Sequence, residues 1–70
     1  MKLRDYTSVE LDVMRTFCNF TEDELEYFNL KASDISNIEI SLKMNISTAQ
    51  VSRIAKRVYT KAKRVAFTYL

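Results

Sequence analysis

Seventy residues, 11 of them Lys or Arg and 9 Asp or Glu, give a formal net charge of only +2, with 47% of the chain apolar. A chain of this length forms one domain around one small core. Having no His, Gly or Pro and a single Cys, it excludes an internal disulfide, the usual zinc spacings and a glycine-rich phosphate loop, so neither metal nor cofactor is expected.

The lone Cys18 reads as a small core residue in a reducing cytosol. No apolar run of signal or membrane-spanning length occurs, so the expectation is a soluble cytoplasmic protein with no membrane partner. The weak net charge conceals a division. Residues 1–39 hold all nine acids and four basic residues, a net of −5, whereas residues 40–70 hold seven basic residues and no acid, a net of +7. A basic half of this kind is the usual footprint of a polyanionic partner.

Four capping boxes mark helix starts: Thr7 with Glu10, Thr21 with Glu24, Ser36 with Glu39, and Ser47 with Gln50. Each carries a hydrophobic staple, formed by Tyr6 and Leu11, Phe20 and Leu25, Ile35 and Ile40, and Ile46 and Val51. Four boxes with matching staples predict an all-α chain, a small bundle of about four helices, and no alternating strand pattern competes.

The first helix is predicted over about Ser8 to Cys18, with Leu11, Met14, Phe17 and Cys18 facing inward. The second is predicted over about Glu22 to Lys31, burying Leu25, Phe28 and either Tyr27 or Leu30. Its first turn holds Glu22, Asp23 and Glu24, which favour the helix dipole by about a few tenths of a kcal/mol each or else form an acidic contact for a protein partner. The third helix, about Asn37 to Lys43, is short and apolar enough to leave Ile38 or Leu42 exposed. Met44, Asn45 and Ile46 then form the turn, with Asn45 taking the left-handed conformation that glycine usually supplies. The fourth helix starts at Thr48 and meets no breaker before the C-terminus. Val51, Ile54, Ala55, Val58, Ala62 and Val65 form its apolar stripe. At ~30 Å for about twenty residues it outruns a three-helix core. Its apolar end therefore either folds back on the first helix or finds a second chain.

Residues 36–62 thus read as a helix-turn-helix unit with a long C-terminal recognition helix, a device whose second helix enters the DNA major groove. Phe20-Thr21-Glu22-Asp23-Glu24-Leu25-Glu26-Tyr27-Phe28 resembles the opening of LuxR-type (GerE-like) DNA-binding domains. Ser36-Asn37-Ile38-Glu39-Ile40-Ser41, then Ile46-Ser47 and Val51, resembles their scaffold helix, turn and recognition helix. Region four of sigma factors is similar too, through Val51-Ser52-Arg53-Ile54 and the basic tail. The resemblance covers about residues 20–62 and implies groove-facing positions at Thr48, Ala49, Ser52, Arg53 and Lys56. The chain departs from it at Ile38, at Asn45 and in its first helix, and it lacks the Gly-containing turn and short last helix of LuxR-type domains. Their dimer contact therefore does not carry over.

The function these features lead us to expect is a sequence-specific transcriptional regulator on double-stranded DNA, without an effector domain and without enzymatic activity. Arg53, with Thr48, Gln50 and Ser52 nearby, would read base edges, unless its capping box consumes Gln50. Lys56, Arg57, Lys61, Lys63 and Arg64 would hold phosphates, and Ser36 and Asn37 could present backbone N–H groups to one. Ser47 at the helix start and Thr60 on the outer face complete the expected DNA surface. Val65, Phe67, Tyr69 and Leu70 would form the interface of a homodimer on an inverted repeat. The alternative is an adaptor of the same fold acting on RNA polymerase or another regulator. An enzyme lacks any clustered nucleophile–base pair, and among aromatics only Tyr59 is interleaved with the basic residues, which leaves RNA binding unsupported. High Lys, Asn, Ile and Tyr content with no Gly or Pro suggests an AT-rich bacterial, phage or plasmid genome.

Overall fold

Helices begin at all four capped positions. The computed structural model describes residues 1–70, with a 3-10 turn at Leu3–Asp5 followed by α1 (Ser8–Phe17), α2 (Glu22–Ala32), α3 (Asn37–Met44) and α4 (Thr48–Tyr69), and no strand. The Thr7 hydroxyl accepts the Glu10 N–H at 3.2 Å while the Glu10 carboxylate accepts the Thr7 N–H at 2.8 Å. Ser47 and Gln50 make the same exchange at 3.1 Å in both directions. At α2, Glu24 accepts the Thr21 N–H at 3.1 Å, and Asp23, bonded by the Thr21 hydroxyl, accepts the Glu24 N–H at 2.8 Å. At α3, Ser36 accepts the Glu39 N–H at 3.2 Å, but Glu39 returns no bond, so this box is one-sided.

A chain without glycine must end its helices on other residues. Asn19 (φ 54°), Asp34 (φ 64°) and Asn45 (φ 56°) take the left-handed conformation, which short polar side chains tolerate best after glycine. Behind α2, the Asp34 and Ile35 N–H groups bond the Lys31 and Leu30 carbonyls. Behind α3, those of Asn45 and Ile46 bond Leu42 and Ser41. Both are Schellman ends, satisfying carbonyls that the helix itself leaves open.

The stripe on α4 is the spine of the core. Val51, Ile54, Ala55, Val58, Ala62 and Val65 are all buried, joined by Met14 and Cys18 of α1, Tyr27 and Phe28 of α2, and Ile40 of α3. The other three helices all pack on α4, and its 22 residues, ~33 Å of helix, set the 32 Å long axis of a molecule 18 Å across. Leu3 of the 3-10 turn closes the core from the N-terminal side, where Arg4 binds Asp34 through both carboxylate oxygens at 3.2 Å. Arg15 links α1 to α2 by donating to Asn29 at 2.8 Å and lying 5.3 Å from the Phe28 ring centroid.

Several expected core positions are different. Phe17 and Leu25 are exposed, whereas Phe28 is buried as expected, with Tyr27 rather than Leu30 fully buried beside it and Phe20 packed against its ring (centroids 5.0 Å apart). Ile38 and Leu42 are both exposed, at 69% and 75%, because the short α3 turns only Ile40 and Ser41 inward. Val65, expected in a dimer interface, is a core residue. The end of α4 lies along α1, where the Tyr69 ring stacks on Phe17 at 4.3 Å with 14° between planes. No helix is long and apolar enough to cross a membrane.

Candidate nucleic-acid interface

The connection between α3 and α4 is short because both of its ends are closed locally. The Schellman end at Asn45 reverses the chain out of α3, and the Ser47–Gln50 box opens α4 two residues later. Val51 points into the core, which leaves Thr48, Ala49, Gln50, Ser52, Arg53 and Lys56 exposed on the first two turns. These are the positions expected to face a groove. The Gln50 carbonyl oxygen is committed to the Ser47 N–H, leaving its amide nitrogen free. Of the α3 residues, Ser36 spends its hydroxyl on its cap. Asn37 accepts the Tyr27 hydroxyl at 3.0 Å, tying the start of α3 to the interior.

Further along α4, the cations divide into two sets. Arg53, Lys56, Arg57, Thr60, Lys61 and Arg64 line an open groove of about 580 Å³, with Glu24 of α2 as its only acidic wall. Arg57 and Lys61 are held by that wall. Arg57 Nε donates to Glu24 Oε2 at 3.0 Å, Lys61 Nζ donates to Glu24 Oε1 at 2.5 Å and to the Asn19 carbonyl at 3.1 Å, and Arg57 Nη2 approaches Asp23 at 3.4 Å. Arg53, Lys56, Lys63 and Arg64 make no ion pair, and Lys63 lies outside the groove. Thr60 donates its hydroxyl to the Lys56 carbonyl at 2.8 Å.

Burial pushes the Glu24 carboxyl up, but Lys61, the Thr21 N–H and Arg57 outweigh that effect and hold it down at about 2. Glu24 is therefore a permanent anion inside a basic face. Burial drives the Tyr27 hydroxyl up, reinforced by the neighbouring Tyr59, so it stays protonated as a donor to Asn37. Burial likewise raises the Cys18 thiol, which suits a core residue.

The role of Glu24 and Asp23 as partners of α4 has no trace in the local pattern, where they read as first-turn acids. The Arg57 and Lys61 contacts lie 33 and 37 residues away in sequence. At the far end of α4, Phe67 is 94% exposed, and Tyr69 and Leu70 are about half exposed. Two residues apart are about 200° apart around a helix, so Phe67 faces away from the side on which Tyr69 meets Phe17. In comparisons with known proteins, no family model, curated protein or solved structure matches the chain.

Proposed function

We propose that the protein is a sequence-specific regulator that binds double-stranded DNA through α3 and α4 as a helix-turn-helix. The observation that carries this reading is the outer face of α4. It is free of acids over its whole length and displays Arg53, Lys56, Lys63 and Arg64 with no internal partner, directly behind a doubly capped turn. Exposed cations without counter-charges attract a polyanion by releasing its condensed counterions. In this reading Arg53, with Thr48, Ala49 and Ser52, contacts base edges, and Lys56, Lys63 and Arg64 contact the backbone. The N-terminus of α3 at Ser36 and Asn37 remains available to a phosphate through its backbone. The site of action is the cytoplasm of a bacterial or phage-infected cell.

One short recognition segment offers few base contacts, so the functional unit is a homodimer on an inverted repeat, with Phe67 and Leu70 at the contact. Selection from a random duplex pool, followed by sedimentation of the selected complex, tests both statements. An inverted repeat bound by two chains is the expected result. Binding whose affinity ignores salt would remove the DNA reading.

A second reading has its own observation. Ile38 and Leu42, one turn apart on α3, form the most exposed aliphatic pair in the chain. A protein-interaction adaptor acting on RNA polymerase or another regulator would use that surface. In that case, neutralising Ile38 and Leu42 with polar residues abolishes function while DNA affinity is unaffected.

A further inference from the structure

The groove between the first turn of α2 and the middle of α4 contains an arrangement that simple charge counting does not explain. Glu24 has a side chain only 3% exposed, yet it stands among the cations expected to hold phosphates, where its charge opposes an anionic ligand. No buried side-chain polar atom lacks a partner, so the Glu24 carboxylate itself is internally satisfied. Its two cations are used differently. Lys61 is three-quarters buried and already donates to both Glu24 and the Asn19 carbonyl, as a strut between α4 and the α1–α2 connection. Arg57 is half exposed; Glu24 engages its Nε, Asp23 makes a longer contact with Nη2, and Nη1 has no partner in the chain.

We propose that this groove is a phosphate site in which Glu24 is a positioning residue, holding the Nε edge of Arg57 so that the rest of the guanidinium fork meets a phosphodiester of a bound strand. The inference rests on the nucleic-acid reading above and adds to it a residue from α2. A guanidinium is planar, so fixing one edge fixes the plane of the whole group. An unrestrained arginine loses rotamer freedom when it binds, whereas one already held loses less. Arg64 follows Arg57 by two turns on the same side of α4, ~10 Å along its axis, so these two arginines reach successive phosphates of one strand while Arg53, one turn before Arg57, is left to the base edges. Lys61 does not join them as a ligand.

The sign of one substitution separates positioning from plain electrostatics. Removing an acid from a basic face should tighten DNA binding if only charge matters. If Glu24 positions Arg57, Glu24→Gln should weaken it. The full chain and its variants are titrated with random-sequence duplex DNA at fixed low salt, with circular dichroism confirming the fold. Arg57→Lys, which keeps the charge and loses the fork, is expected to weaken binding about three- to tenfold. Glu24→Gln weakens binding in the wild-type background and no longer does so in the Arg57→Lys background. Wild-type affinity in Arg57→Lys, or tighter binding by Glu24→Gln alone, overturns the proposal. Should Glu24→Gln fail to fold, Glu24→Asp, which keeps the charge but shortens the reach to the half-exposed Arg57, takes its place, and unchanged binding by it overturns the proposal. The same samples are followed by side-chain NMR of the Arg57 guanidinium during addition of duplex DNA or inorganic pyrophosphate. Pyrophosphate shifting the Arg57 signal while DNA does not bind would preserve the site and remove the DNA reading. DNA binding with Arg57 unmoved would preserve that reading and remove the site, and no response to either probe removes both.

Discussion

The Glu24 carboxylate accepts a hydrogen bond from the Lys61 ammonium at 2.5 Å across 37 residues of sequence, and its second oxygen takes Arg57 at 3.0 Å. One side chain thus fastens the start of α2 to the middle of α4. Its folded-state pKa lies near 2 against an ordinary 4.5. The unfolded chain therefore takes up the proton first on acidification, and the stability Glu24 contributes is present above about pH 4.5 and lost as the pH falls through about 2. Glu24→Gln should destabilise the fold by about 1–3 kcal/mol at neutral pH. Denaturant melts of the two proteins should converge towards pH 2, and a constant difference from pH 7 to 2 would contradict this account.

Arg53 is the exposed α4 side chain on which sequence reading depends most. On the selected DNA site, Arg53→Ala should lose about 1–3 kcal/mol of binding free energy, with little change on random duplex. Equal losses on both would make Arg53 a backbone clamp and not a reader of bases.

The turn between α3 and α4 is held by backbone conformation and one cap. Asn45→Gly should be tolerated, whereas Asn45→Ala should cost about 1 kcal/mol, because only the latter puts an aliphatic Cβ in a left-handed position. Ser47→Ala should cost about 1 kcal/mol through the lost cap. Thermal unfolding reads both, and indifference to Ser47→Ala would mean that the box contributes nothing at this helix start.

The two ends of the apolar tail should behave differently. Val65→Asp places a charge in the core and should unfold the chain, as circular dichroism would show. Phe67→Asp changes a side chain that touches little of its own chain. It should give a folded protein that sediments as a monomer and binds only weakly to half of the selected site. Wild-type protein sedimenting as a monomer both free and on that site would rule out the homodimer.

Much of this molecule could be read along the chain. Helix starts at Thr7, Thr21, Ser36 and Ser47, the left-handed Asn45 and the six-residue stripe of α4 all depend on residues within a turn or two of one another. Capping and 3.6-residue periodicity act over that range. The same local logic would have found Asn19 and Asp34, since a chain without glycine must use Asn or Asp to leave a helix. Tertiary structure alone decided the rest. Leu3 is buried and Phe17 and Leu25 are exposed because burial depends on which helices cover a face, and periodicity says only that a face exists. Val65 belongs to the core because α1 lies along the end of α4. The basic half of the chain looked like one uniform surface, yet folding brings Glu24 and Asp23 against it and leaves Arg53, Lys56, Lys63 and Arg64 without partners. Formal charge is a property of composition, but the free charge available to a ligand depends on distances that exist only once the chain has closed on itself.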